Sequence, residues 1–497
     1  MGLLVMKRSH IKAKTDYLKL RMLFDNPLTK ATLSYLLAST DGKKTRLEEL
    51  MDRLARGEKP HGLRERPIYS LVNTVAKAIG IPKEEIPRYL AHPNIRRTIL
   101  NAAYSIQEYG LKLPMTFYAP LMVVWNITYT CNLRCKHCYE NAGTLRPKEL
   151  STGELSKEEK LALVEEIADS QIPTLSFSGG EPLLCRDFWD VVEKAREKGL
   201  YLSMNTNGTV ITPEVARRLK EYDFAYVAVS IDSANPEKHD FFRGVKGAWE
   251  RSIQGIKNVI EAGGNAILSV TVTRYNYEEF QDILELGRKL GVYKVMVYNF
   301  IPTGRGKEIW HSDLTPDEKE SILQQMYDFL VAGGSLCTTA PQLGRFCLER
   351  DKPEFAPIAH LGTGKAKDLS LLAELIGGCG VARAYMAVQP DGTYTPCVYM
   401  PDVHLGHFRT ERILDVWKNH PFLNKLRDRK SLWGACGNCE YNRACGGCRA
   451  RALAYFGDPM GPDPACIRNR EYFEDFVNKH PEIYASFESE EIATASD

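Results

Sequence analysis

Between residues 120 and 302, six short apolar runs alternate with stretches that carry apolar side chains at helical spacing. The runs are Leu121–Ile127, Thr174–Phe177, Tyr201–Met204, Ala225–Ser230, Ile267–Thr273 and Val295–Phe300. Between them lie Lys157–Asp169, Asp187–Lys198, Pro213–Tyr222, Ala248–Ala262 and Tyr277–Leu290. Strands joined through helices pair in parallel, and strand twist makes the crossovers right-handed. The alternation therefore predicts an α/β fold of βαβ units around a parallel sheet. In such sheets function gathers at the carboxyl ends of the strands. The chemically distinctive residues follow the strands: three cysteines, then Ser178-Gly179-Gly180-Glu181-Pro182, Asn205-Thr206-Asn207-Gly208, and Asp232.

The cysteines narrow the reading further. There are 13, none before Cys131, with three between Cys131 and Cys138 and seven between Cys379 and Cys466. Cys185, Cys337 and Cys347 stand apart. An odd count cannot pair fully into disulfides. The segment Met1–Arg8 has no apolar stretch long enough for a signal peptide, and Met6 stands where a myristoylation signal wants Ser or Thr. No run approaches the 18 or so apolar residues of a membrane helix. These features predict a cytoplasmic protein, where disulfides are rare and metal or redox chemistry is the better use of thiols. The net charge of +2 gives no global field for nucleic acid or an anionic membrane.

Residues 1–115 read as a helical region: Leu47, Leu50, Met51 and Leu54 form one apolar face, and Ile68, Leu71, Val72, Val75 and Ile79 repeat it. The first 66 residues carry 15 Lys or Arg against 8 Asp or Glu, either a solvated surface or a contact for an anionic substrate or partner. The rest divides into a strand–helix core (116–310), a bridging region (311–378) broken by Gly333-Gly334, Pro341 and Pro353, a cysteine-rich domain (379–470), and a C-terminal helix with an acidic tail (471–497). The tail is expected to be disordered.

Cys131-Asn-Leu-Arg-Cys135-Lys-His-Cys138 spaces three thiols so that one loop can hold three corners of a cubane iron–sulfur cluster. A zinc loop is the alternative, but zinc sites usually take four ligands, often as two separated pairs, and His137 lies between two of the cysteines. The motif, with Tyr139 directly after it, resembles the signature of the radical S-adenosylmethionine (SAM) enzymes, and Ser178–Pro182 looks like their Gly-Gly-Glu-Pro motif. The resemblance runs from about residue 121 to 305. It implies a partial (β/α)6 TIM-like barrel, with Cys131, Cys135 and Cys138 holding a catalytic 4Fe–4S cluster. It places Tyr139, Ser178, Gly179, Gly180, Glu181, Asn205, Asn207, Ser230 and Arg243 at SAM, and gives Asp232 a catalytic role at the ribose or the substrate.

The second cysteine set has four residues between Gly392 and Cys397. It resembles the SPASM domain, which follows the barrel in many radical SAM maturases and carries two auxiliary 4Fe–4S clusters. The family pattern usually has three residues where two lie between Cys445 and Cys448. The resemblance implies one cluster on Cys379, Cys397 and Cys448, and another on Cys436, Cys439, Cys445 and Cys466. An eighth ligand is then missing: an open site, or Cys347 or Cys337.

The expected function is a radical SAM oxidoreductase or maturase that modifies a large substrate, either a peptide or protein side chain or a tetrapyrrole side chain, with a flavodoxin or ferredoxin as electron donor. Leu426–Arg429 and Cys445–Ala452 look like the closing segment of the alternative haem-biosynthesis radical SAM enzymes. The competing reading is a non-catalytic iron–sulfur electron carrier or structural metal protein.

Overall fold

The structure, a computed structural model, describes residues 8–39, 42, 44–58, 69, 73, 82–143, 153–350, 352–356 and 374–483. The apolar repeat from Ile68 to Ile79 and the tail from Phe487 lie outside the described residues.

The chain opens with helices, as the apolar spacing predicts: α1 (Arg8–Asp25), α2 (Pro27–Leu37), α3 (Arg46–Ala55), α4 (Ile86–Leu90) and α5 (Pro93–Tyr109). Thr45 and Glu48 form a capping box that starts α3. Its face of Leu47, Leu50, Met51 and Leu54 packs with Leu33, Leu36, Ile86, Leu90 and Leu100 into a small core of its own. Helix α5 ties this region to the rest. Arg97 donates to the carbonyls of Lys198 and Gly199, at 2.5 and 3.1 Å, and buried Asn101 donates to the Ala119 carbonyl at 2.9 Å.

Six parallel strands follow in chain order: β1 (Met122–Asn126), β2 (Thr174–Ser178), β3 (Tyr201–Thr206), β4 (Tyr226–Ser230), β5 (Ala266–Val272) and β6 (Lys294–Asn299). Each pairs with the next, as the alternation implies. The crossover helices are α6 (Lys157–Asp169), α7 (Phe188–Glu197), α8 (Pro213–Glu221), the pair α9 (Pro236–Arg243) and α10 (Ala248–Glu261), and α11 (Phe280–Leu290). A second capping box, Ser156 with Glu159, starts α6. Every residue of β1 is buried, the pattern of a central parallel strand covered on both faces. Leu163, Val191, Val192 and Ile256 pack on the sheet with no exposed surface, each contributing roughly 1.5–3 kcal/mol by burial.

The sheet holds more than six strands. Among the described residues it has ten, in the order β10-β9-β8-β1-β2-β3-β4-β5-β6-β7, and it is open rather than closed. β7 (Leu336–Thr338) continues the parallel series beside β6, after α12 (Pro316–Val331) and before α13 (Gln342–Glu349). At the other side β8 (Tyr385–Val388) pairs in parallel with β1, Met122 opposite Tyr385 and Trp125 opposite Val388. β9 (Thr393–Thr395) and β10 (Gly406–His407) then extend it antiparallel. Neither β7 nor β8 stands out in the sequence, because three or four residues give no readable period. The cysteine-rich segment is therefore built onto the barrel's sheet.

Candidate functional site

A cavity of 210 Å³ opens at the carboxyl ends of β1–β6. The loop after β1 brings Cys131, Cys135 and Cys138 to it. This loop is anchored to the end of α9: Arg134 N–H donates to the Arg243 carbonyl at 3.1 Å, and Lys136 N–H to the Phe242 carbonyl at 3.0 Å. Gly244, at φ +73°, ends α9 where a Cβ would press on the Arg134 carbonyl. Four N–H groups aim at the thiols, among them Asn207 Nδ2, 4.0 Å from Cys131 Sγ. Leu133 N lies 3.4 Å from Cys131 Sγ, Ala142 N 3.4 Å from Cys138 Sγ, and Arg243 Nη1 3.6 Å from Cys135 Sγ.

The other expected residues divide into those that line the cavity and those one layer behind. Tyr139, Ser178, Gly179, Gly180, Asn205, Asn207, Ser230 and Arg243 line it. Tyr139 hydroxyl bonds Ser178 Oγ at 2.8 Å and donates to Asn126 Oδ1 at 3.1 Å. Gly180 N–H donates to the Thr128 carbonyl at 2.8 Å, and a Cβ on Gly180 would overlap the Thr130 carbonyl. The Gly-Gly turn thus packs flat on the loop that carries the triplet. Asn205 Oδ1 accepts from Tyr298 hydroxyl at 2.8 Å. Asn207 donates to Asn132 Oδ1 at 2.8 Å.

Glu181 and Asp232 are fully buried and do not line the cavity. Glu181 accepts from Thr206 hydroxyl at 2.7 Å and from Asn207 N–H at 2.8 Å, joining the β2 and β3 loops. Burial pushes its carboxyl up to about 7. Asp232 pairs with Arg243 at 2.7 Å and accepts from Thr271 N–H at 3.0 Å. Burial pushes Asp232 up, but Arg243 with His137 and His239 outweighs it and holds the carboxyl below its ordinary range. Asp232 is thereby placed to hold Arg243 against Cys135. His137 stacks on Phe242 at 4.5 Å, and burial lowers its pKa to about 3, so it is neutral.

The seven later cysteines fall into two sets. Cys379, Cys397 and Cys448, the inner set, line the same cavity as the triplet. Cys436, Cys439, Cys445 and Cys466, the outer set, surround a separate cavity of 20 Å³. The loops interlock: Cys379 N–H donates to the Cys445 carbonyl at 3.2 Å, and a Cβ on Gly378 would overlap that carbonyl. Burial pushes the thiols of Cys131, Cys397 and Cys466 up to about 12; ligation to a metal reverses that cost. Cys347 and Cys337 line neither cavity. Cys347, with no exposed surface, belongs to the main core, and Cys337 on β7 packs with Ala228, Ile267 and Met296. Cys185 lies beside Lys160 Nζ at 3.5 Å.

The residues present fit iron–sulfur clusters. All 13 thiols are free. Three buried arginines around the later cysteines have only carbonyl or thiol partners. Arg383 donates to the Gly377 and Leu375 carbonyls, Arg429 to those of Asn442, Cys445 and Cys379, and Arg449 to those of Gly447, Pro459 and Gly461. None has a carboxylate within ion-pair distance among the described residues. Buried cations without a counter-charge are costly, and thiolate-ligated clusters supply one.

The sequence also left out residues the cavity uses. Tyr298, Tyr385 and Tyr399 line it, and the Tyr399 ring meets the Tyr139 ring edge-on at 5.0 Å. Tyr399 follows Cys397 by two residues, the one local hint to its position.

Residues 125–287 match the radical SAM superfamily profile, and residues 379–440 match that of an iron–sulfur cluster-binding (SPASM) domain. The chain is 35% identical over 351 residues to the AdoMet-dependent heme synthase of Methanosarcina barkeri, covering 70% of this chain and 97% of that protein. It belongs to the radical SAM superfamily. It is also 32% identical to mycofactocin maturase MftC of Mycobacterium tuberculosis, over 70% of this chain and 83% of that protein. In fold it resembles Streptococcus suis SuiB bound to S-adenosylmethionine, with a TM-score of 0.57 and 16% identity over 81% of this chain and 88% of that one. This radical SAM protein is thus an enzyme with 4Fe–4S clusters and SAM as cofactors. No helix among its described residues is long and apolar enough to cross a membrane.

Proposed function

We propose that this radical SAM enzyme oxidises a large, carboxylate-bearing substrate held between the triplet and the inner cysteine set, and that the reaction releases the carboxylate as carbon dioxide. The observation that carries the reading is the single cavity shared by Cys131, Cys135, Cys138 and by Cys379, Cys397, Cys448. When bound, the clusters and SAM supply a 5′-deoxyadenosyl radical that takes a hydrogen atom, and a one-electron acceptor within reach of the substrate.

The chain's own residues do the rest. Cys131, Cys135 and Cys138 would hold the catalytic cluster, with one ligand position not supplied by the triplet. Gly179 and Gly180 bring backbone against the cofactor without a side chain, while Ser178, Asn205, Asn207 and Ser230 offer hydroxyl and amide groups to it. Asp232 and Glu181 position these loops from behind. The apolar wall of Met122, Val124, Met296, Ile301, Val381 and Val398 excludes water. Among the described residues no Asp or Glu lines the cavity, and loss of carbon dioxide from an oxidised substrate needs no carboxylate base.

The inner set offers three thiols, and neither Cys337 nor Cys347 lies at its cavity. Its missing ligand reads as an open position facing the substrate. The outer set takes a second auxiliary cluster.

For the substrate, a tetrapyrrole propionate is the first reading, supported by the 35% identity to a heme synthase matched over 97% of its length. A peptide is the second, favoured by the 30% of this chain that has no counterpart in that relative; SuiB, bound to its precursor peptide, matches 86% of this chain in fold. A flavodoxin or ferredoxin is the proposed reductant. The test is anaerobic incubation of reconstituted, reduced enzyme with SAM and either an iron coproporphyrin or candidate peptides. Deoxyadenosine formed together with carbon dioxide is the expected result. Deoxyadenosine without carbon dioxide would overturn the decarboxylation. None at all from fully loaded protein would overturn the enzyme reading.

A further inference from the structure

The two auxiliary sets receive unequal hydrogen bonding, and the inequality centres on one thiol. Cys436 Sγ is met by three N–H donors: Asn469 Nδ2 at 3.4 Å, Asp463 N at 3.5 Å and Arg449 Nη2 at 3.9 Å. Cys439 is met by Arg468 Nη1 at 3.6 Å, and Cys445 by Gly447 N at 3.4 Å. In the inner set Cys397 has the Tyr385 hydroxyl and the Tyr399 N–H nearby, and Cys448 the Arg451 N–H. No guanidinium or amide side chain donates to an inner thiol at hydrogen-bond distance among the described residues.

The donors to Cys436 are fixed in place. Asn469 is fully buried; its Oδ1 accepts from Ala435 N–H at 3.1 Å and its Nδ2 also reaches the Asp463 carbonyl at 3.0 Å. Arg449, 1% exposed, is clamped by the Pro459 and Gly461 carbonyls at 2.9 and 2.8 Å, with no carboxylate within ion-pair distance among the described residues. Asp463 touches both sets: its N–H donates to Cys436 Sγ at 3.5 Å, and its carboxylate, paired with Arg451 at 4.0 Å, accepts from Cys448 N–H at 2.7 Å.

Hydrogen bonds to the sulfurs and net local charge are the protein's main controls on an iron–sulfur potential. Donors and cations stabilise the reduced, more negative form; a nearby carboxylate disfavours it. We infer that the outer set carries the auxiliary cluster of higher reduction potential, and that Asn469 and Arg449 are the positioning residues that set it by donating to Cys436. An electron shared by the pair then resides on the outer cluster: the inner one is oxidised by one electron, the outer one reduced by one, and no proton moves. This inference rests on the two-cluster reading above.

The experiment is a potentiometric titration with dithionite, followed by electron paramagnetic resonance, on the full chain carrying Cys131→Ala, Cys135→Ala and Cys138→Ala, so that only auxiliary signals remain. Two midpoints are expected. Asn469→Leu should lower the higher one and leave the lower one in place, by a threefold to tenfold change in the reduction equilibrium, up to about 59 mV for one electron. Arg449→Met should lower the same midpoint, and Arg449→Lys, which keeps the charge and a donor, should largely retain it. A higher midpoint unmoved by Asn469→Leu, or movement of the lower one instead, overturns the inference. So does an Arg449→Lys variant that behaves like Arg449→Met. A parent with fewer than about eight irons per chain, four for each cluster, overturns the two-cluster reading itself, and the iron assay reports that separately.

Discussion

Replacing Asp232 by Asn isolates the ion pair behind the catalytic cysteines. The carboxylate and the Arg243 guanidinium meet at 2.7 Å with neither side chain more than 9% exposed. At an effective dielectric of 20 their gross attraction is about 6 kcal/mol, much of it offset by desolvation. Removing one partner of such a pair costs about 3–5 kcal/mol, because the survivor stays buried without its counter-charge. His137, 3.6 Å from the carboxylate, is neutral, and Cys135 Sγ at 3.6 Å from Nη1 becomes a neighbouring anion when it ligates iron. Anaerobic denaturant unfolding of the reconstituted protein, followed by circular dichroism, should place Asp232→Asn about 3 kcal/mol or more below the parent. The Asp232→Asn/Arg243→Met double variant, which removes both charges, should recover part of that loss. An Asp232→Asn variant within about 0.5 kcal/mol of the parent, or a double variant less stable than the single, would refute the account of Asp232 as the residue that neutralises Arg243.

Gly180→Ala should weaken SAM binding at least tenfold by calorimetry while iron content stays at the parent level, since the added Cβ strikes the Thr130 carbonyl rather than a thiol. Cys347→Ala should lose no iron, because that thiol lies in the core away from both cavities; a loss of about four irons would make it the missing ligand. Lys319 is fully buried near Arg451, and burial lowers its pKa to about 8 from an ordinary 10.5. A lysine depressed in the folded state carries a penalty that is fully present below pH 8 and disappears as pH rises through 10.5. Relative to Lys319→Met, the parent should therefore become more stable across that window, by up to about 3 kcal/mol at 1.36 kcal/mol per unit; parallel stability curves would refute it.

What the sequence displayed of this molecule was its local part. Six strands and their helices were legible because apolar residues recur with a period, and the triplet because its spacing is short. The two-set division of the later cysteines was legible only through family resemblance, since Cys379 and Cys448 of the inner set are 69 positions apart and meet through folding alone. β8 was hidden because Tyr385-Met-Ala-Val carries no period and sits between cysteines. Tyr399, Asn469 and Arg449 stand close to cysteines in sequence, but were hidden for another reason: a tyrosine, asparagine or arginine acquires its role from what it touches in the fold. Asp232 and Glu181 were visible as residues, but their full burial behind the cavity was not.

The parallel pairing of β8 with β1 has a mechanical consequence. The strand next to Cys379 lies beside the strand that leads to the triplet, so the two thiol-bearing regions share one hydrogen-bonded sheet, with neighbouring strands about 4.8 Å apart. A chain severed ahead of Cys379 would also leave β1, buried on both faces, with a bare row of N–H and C=O groups along one side. Barrel and appendage should accordingly fold, age and be degraded as one body, and limited proteolysis should find no stable barrel fragment to release.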